Sequence, residues 1–189
     1  MAQAAGSTTA SGAYREWKPT RATWFRWLIG GGALGGAGSL FYEWVAGHGE
    51  IPNEISVNLV LAAVLIVALG MVHEGIHGLV MTAFGARPSF GILRSGRIIQ
   101  GFYTTSPGHR FSRAAYLVIS LAPLVLIAPL GVPLCWSPLG SVLWFPFGMH
   151  LGGCIGDLTI ARQVFAGPAE VVYEDLRDGV RIWSPPGAA

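Results

Sequence analysis

Residues 55–72 carry no charged side chain, and this apolar run leads directly into His73-Glu-Gly-Ile-His77. An uncharged stretch of that length is long enough to span a bilayer. A glutamate and two histidines at its end are costly there unless something pairs with them. At helical spacing His73 and His77 lie one above the other on one face, separated by a rise of about 6 Å. Two imidazoles so placed suit a tetrahedral zinc ion with an open position for water, and Glu74 between them suits that water's base. Leu79, Val80, Met81 and Phe84 carry the apolar pattern past the motif, so no solvated face accounts for it. The competing reading is a structural pair hydrogen-bonded to neighbouring helices.

Composition points the same way. Of 189 residues 52% are hydrophobic and 12% charged, about half the charged share usual in soluble domains. The mean hydropathy is +0.51. A net charge of +2 and the lack of a recognisable nucleic-acid motif give no reason to expect a nucleic-acid partner. Cys135 and Cys154 make no disulfide framework.

The expected fold is an all-α membrane protein with four transmembrane helices and a small β-hairpin between the second and third. Residues 1–22 read as a flexible Ser/Thr/Ala/Gly-rich tail, 23–165 as the membrane-embedded domain and 166–189 as a polar C-terminal tail, with a short strand at Val180–Trp183. The first span covers residues 24–45, with glycines that favour close helix packing. A polar link at 47–54 leads to the second, 55–85. The hairpin pairs 89–93 with 98–104 around Arg94-Ser-Gly-Arg97. It reads either as a simple connection or as an edge to which an extended peptide adds a strand. The third span, 114–133, has Pro123 in its middle, which frees a carbonyl and bends the helix. The fourth, 142–160, carries His150, Cys154 and Asp157 among glycines.

Basic residues flank these segments unevenly. Arg15, Lys18, Arg21 and Arg26 precede the first span, and Arg87, Arg94, Arg97, Arg110 and Arg113 follow the second. The links after the first and third have none, the positive-inside pattern of an integral membrane protein with both termini cytoplasmic. In that topology His77 lies about 12 Å and Asp157 roughly 9 Å from the inner ends of their spans. Asp157 is therefore the expected third zinc ligand, against a structural role as a helix cap or a partner of Arg162. His150 lies about 10 Å further outward, as a substrate contact or a hydrogen-bonded core histidine. Cys154 competes as a ligand or serves small-residue packing, and His109 sits in the loop beside Arg110.

His73-Glu-Gly-Ile-His-Gly78, Arg87-Pro-Ser-Phe-Gly91, Leu121-Ala-Pro123 and Gly156-Asp157, in that order, resemble the zincin membrane peptidases grouped as DUF3267. Their motif logic is similar to that of site-2 proteases. The resemblance implies zinc at His73, His77 and Asp157, with Glu74 as the catalytic base of an HExxH-type metalloendopeptidase acting on membrane-protein or peptide substrates. The site-2 protease pattern around its aspartate is Asn-Pro-Asp-Gly, whereas this chain reads Ile155-Gly-Asp-Leu158. His150 is the residue expected to stand in against substrate or transition state. Two other classes stay open: a non-catalytic membrane scaffold with a structural or degenerate zinc site, and a small transporter with a proton relay.

Overall fold

A computed structural model describes residues 6–9, 12–47 and 59–184. Most of the 47–54 link, the start of the second apolar segment and Pro185-Pro-Gly lie outside the described residues. The described chain forms β1 (Gly6–Thr9), β2 (Gly12–Trp17), α1 (Arg21–Ala46), α2 (Leu59–Ala83), β3 (Ser89–Ser95), β4 (Ile98–Thr105), β5 (Phe111–Ser112), α3 (Arg113–Trp136), α4 (Gly140–Gly153), α5 (Ile155–Ala166), β6 (Val172–Leu176) and β7 (Gly179–Trp183).

This corrects the expectation of a four-span all-α protein. Among the described residues two helices, at Val60–Ala83 and Arg113–Trp136, are long and apolar enough to cross a membrane. The glycine run of α1 dilutes its apolarity, and Arg21, Arg26 and Glu43 add charge. The fourth apolar segment is two shorter helices, because α4 stops at Cys154 before α5 begins. The hairpin between the second and third segments is present as β3–β4, with an irregularity between Leu93 and Arg94. A second, five-stranded sheet, ordered β1-β2-β7-β6-β5, was not foreseen.

The chain divides into two compact units. The first comprises residues 1–24, 74–121 and 158–189. Its apolar centre gathers Met81, Phe111, Tyr116, Ile119, Val164, Tyr173, Val180 and Ile182, and the Tyr116 and Tyr173 rings stack at 5.5 Å. The five-stranded sheet joins distant parts of the sequence. β2 pairs with β7, β7 with β6, and β6 with β5. On one face Arg181 bridges Glu16 at 2.6 Å and Glu174 at 3.1 Å, tying three strands together.

α2 ends in this unit by a defined device. Gly85 adopts a positive φ of 83°, Ala86 N–H donates to Met81 O at 3.0 Å, and Gly85 N–H donates to Thr82 O at 2.9 Å. These two bonds are a Schellman stop, which needs the left-handed residue that glycine supplies. The β3–β4 hairpin docks on the same helix. Thr104 Oγ1 donates to Glu74 O at 2.9 Å, and the Phe90 ring fills the space where Gly78 lacks a Cβ.

The second unit comprises residues 25–73 and 122–157. Here α1 meets α4 through glycines, and a Cβ on Gly31 would come 2.8 Å from Gly152 O. A Cβ on Gly148 would collide with the Ser39 backbone, and one on Gly152 with Gly31 O. Tyr42 Oη donates to Ala128 O at 2.7 Å, joining α1 to α3. Close approach of this kind is how helices pack where lipid removes the hydrophobic drive. Large apolar side chains point outward on three of the helices, including Leu28 and Leu40 on α1, Val60 and Val64 on α2, and Val125 and Leu130 on α3.

Gly148→Ala and Gly152→Ala should each destabilise the protein by about 1–3 kcal/mol, the usual range for overpacking. Gly32, whose added Cβ would meet nothing within 4 Å, is the control. Its alanine variant should be neutral or gain up to about 1 kcal/mol from helix propensity. Thermal unfolding in detergent reads all three.

Candidate metal centre

α2 carries His73, Glu74 and His77 on neighbouring turns, and along this helix their ligand atoms lie within 4.8 Å of one another. His77 is buried at 8% exposure, and its Nδ1 lies 2.9 Å from Ile119 O. A carbonyl only accepts, so Nδ1 carries the proton and the lone pair is on Nε2. The carbonyl is available for a reason visible in the sequence. Ile119 O would normally take the N–H of residue 123, four places on, but that residue is proline and has none. Pro123, inside α3, thus leaves the acceptor that holds the His77 ring. Fixing one ring nitrogen so that the other faces the ion is the usual support for a metal-ligating histidine.

In the second unit His73 is held from both sides. Nε2 lies 3.1 Å from Asp157 Oδ2, and Nδ1 lies 3.2 Å from His150 Nε2. Asp157 comes from the first turn of α5, and His150 from the last turn of α4. Two ligand atoms on one tetrahedral zinc, with bonds of about 2.0–2.1 Å, stand about 3.3 Å apart. The His73–Asp157 separation matches that spacing, so a metal ion can stand where a proton on Nε2 would. The nitrogen and carboxylate donors also suit zinc. His73 and Asp157 therefore stand at a spacing that fits the ion the motif implies.

The structure brings His73, Asp157 and His150 together, with Cys154 Sγ 3.8 Å from His150 Nε2. His109 is placed elsewhere. Its ring packs on Phe111, with centroids 4.6 Å apart, and its backbone N–H closes a turn on Ser106 O.

One neighbour of the motif escapes sequence reading. Asp175, on β6, accepts a hydrogen bond from Tyr116 Oη at 2.5 Å, and Thr105 Oγ1 donates to its backbone O at 2.9 Å. Burial pushes the Asp175 carboxyl up to about 7, against the opposing pull of the Tyr116 and Thr105 hydrogen bonds and His77, and Glu74 adds to the rise. Asp175 therefore shares an electrostatic environment with the motif, although 101 positions separate it from Glu74 in the sequence. The adjacent Glu174 behaves oppositely. Burial would raise it, but Gly108 N–H, the Trp183 indole and Arg181 hold it below the ordinary value. The acidic run at 174–175 gives no hint of which residue faces which way until the register of β6 is known.

A family model described as "Putative zincin peptidase", DUF3267, matches residues 65–172, more than half of the chain. The chain belongs to the DUF3267 family. It is also 28% identical over 148 residues to an "Uncharacterized 24.7 kDa protein in gap 5'region" of Pyrococcus woesei. That alignment takes in 76% of this chain and 62% of the archaeal protein, so the chain spans less than two thirds of that relative's length. No solved structure matches. The DUF3267 match contains His73, Glu74, His77, Pro123, His150 and Asp157, and reaches the first residue of β6.

Two outcomes follow for this DUF3267 protein. Pro123→Ala restores an N–H that competes for Ile119 O, and zinc affinity measured by chelator competition should fall about 10- to 100-fold, as for loss of other outer partners. Unchanged affinity would show that the proline does not govern the His77 ring. The raised Asp175 carboxyl takes up a proton more readily folded than unfolded, where its value is about 3.9. Its contribution to stability is therefore complete below about pH 4 and lost as pH rises through about 7. Thermal unfolding across that window should show a falling limb that Asp175→Asn flattens.

Proposed function

We propose that this protein is a zinc-dependent metallopeptidase that hydrolyses peptide bonds of membrane-associated substrates within or at the edge of the bilayer. His73, His77 and Asp157 would hold the ion and Glu74 would be the base. The observation that carries the reading is the paired anchoring of the two motif histidines. His77 is oriented by Ile119 O, and His73 stands between His150 and Asp157.

Zinc, when bound, would polarise the scissile carbonyl and make a water acidic enough to react near neutral pH. A carboxylate oxygen of Glu74 would accept a proton from the attacking water and pass it to the leaving amide nitrogen as the C–N bond breaks. Asp175, with its carboxyl near neutrality, would limit the negative charge around Glu74. The β3–β4 hairpin touches α2 at Glu74 O and Gly78. An unwound substrate segment would lie along one of its open edges as an added strand, since a helical peptide hides its scissile carbonyls in its own hydrogen bonds.

Integration in the membrane is supported by the two apolar helices and the outward-facing aliphatic side chains. Sheet pairing bears on topology. Residues 12–17, 111–112 and 172–183 are hydrogen-bonded into one sheet, and strands so joined lie on one side of a bilayer. Arg15, Lys18, Arg87, Arg94, Arg97, Arg110 and Arg113 flank this sheet in the sequence. The positive-inside rule puts them, and both ends of the described chain, in the cytoplasm.

The test is metal content by mass spectrometry together with cleavage of a quenched-fluorescent peptide library in micelles. Wild type should hold near one zinc and cleave, while His73→Ala and Asp157→Ala should lose the metal. Glu74→Gln should keep the zinc and lose about 10²- to 10⁴-fold in rate, the usual span for general acid–base catalysis. A folded wild type that takes up no zinc after supplementation refutes the reading. A chelator that melts the helices while no variant cleaves would assign the zinc to structure.

A further inference from the structure

The second unit holds a donor cluster of which the proposed catalytic set uses only His73 as a metal ligand. His150 and Cys154 lie four residues apart at the end of α4, with Cys154 as the residue where the helix stops. His150 is 8% exposed and Cys154 fully enclosed. With His73 from α2, each offers a ligand atom, and these atoms lie within 4.8 Å of one another.

Hydrogen bonding alone accounts poorly for this arrangement. His150 Nε2 is approached by His73 Nδ1 at 3.2 Å and by Cys154 Sγ at 3.8 Å. An imidazole nitrogen has one in-plane lone pair, so it serves one of them well and not both. The other ring nitrogen, His150 Nδ1, is buried with no hydrogen-bond partner. With Nε2 as the donor toward an ion, Nδ1 would carry the ring proton. The 3.2 and 3.8 Å separations lie close to those of donors around a single ion. Bonds of about 2.0–2.1 Å to nitrogen and 2.3 Å to sulfur set neighbouring donors roughly 3.3–3.6 Å apart.

We propose that His73, His150 and Cys154 form a second metal position, taking a borderline-soft divalent ion such as zinc or cobalt through one thiolate and two imidazoles. One thiolate with two nitrogens disfavours magnesium and calcium. On binding, Sγ gives up its proton to solvent and the metal–sulfur bond forms, with no change of oxidation state. The position uses Nδ1 of His73, whereas the catalytic set proposed above uses Nε2. A neutral imidazole has one lone-pair nitrogen at a time. The two positions therefore compete for the same ring, and an ion seated against Cys154 leaves the Nε2 proton facing Asp157. The thiolate position does not depend on the peptidase reading, but the competition does.

Full-length protein is loaded with cobalt(II), and the sulfur-to-cobalt charge-transfer absorption is recorded for wild type, Asp157→Asn, His77→Ala and Cys154→Ser. X-ray absorption on zinc-loaded wild type gives a second readout that needs no variant. The band should be present in wild type, stronger in Asp157→Asn and His77→Ala, and absent in Cys154→Ser. Cys154→Ser should still bind one cobalt and keep its circular-dichroism spectrum. The zinc data should show a sulfur neighbour at about 2.3 Å, strengthened in Asp157→Asn. Metal bound without a sulfur signal in either wild type or Asp157→Asn overturns the proposal, as does absence of metal binding in both. A sulfur signal that Asp157→Asn and His77→Ala leave unchanged keeps the thiolate position but removes the competition, and with it the support for a shared catalytic ring.

Discussion

The contact between His77 Nδ1 and Ile119 O is the interaction on which the candidate metal centre depends. It joins two helices through one proton, fixes the tautomer of a buried ring, and exists because Pro123 cannot satisfy the carbonyl itself. Ordinarily a proline inside a long apolar helix is a defect with an unsatisfied acceptor. In this protein the acceptor is put to use on a neighbouring helix. The Schellman stop at Gly85 and the Thr104 contact to Glu74 O then determine where α2 ends and which strand lies beside its motif.

Much of this was legible in the sequence because it is local. HExxH spacing, the uncharged run before it, the Arg94–Arg97 turn and the interrupting proline each act over a few residues. The four-span expectation failed where apolar content was read as length alone. Residues 142–160 are apolar throughout, yet Cys154 ends one helix and Ile155 opens another. The sheet was missed for a different reason. The strand expected at 180–183 is present as β7, but β2 and β5 are short and take partners far away in sequence, Tyr14 with Trp183 and Phe111 with Tyr173. Strand propensity depends on that context. A two-residue strand like Phe111–Ser112 has no signature of its own.

Neighbouring carboxylates on β6 show what register adds. Glu174 meets Gly108 N–H, the Trp183 indole and Arg181 and is held ionised. Asp175, one residue on, points to the opposite face of the strand. There it meets a tyrosine hydroxyl and the field of Glu74 and His77, and is held near neutrality. One acid anchors the sheet and its neighbour sets the charge beside the motif, a separation of roles by environment rather than by residue type.

The order of strands in the larger sheet has a consequence for biogenesis. β7 and β6 occupy its middle, between β2 and β5, and they are among the last described residues to be translated. Until they leave the ribosome, the N-terminal hairpin has no neighbour in the sheet and Phe111 has no strand to pair with. The helices can form as they emerge, but the pairing of β2 with β7 must close a loop of more than 150 residues, a slow and entropically costly step. The carboxyl of Asp175 therefore joins the electrostatic environment of Glu74 only after β6 has been made. A chain that stalls before β6 would have its HExxH helix in place while Glu74 lacks the Asp175 neighbour it has in the folded protein.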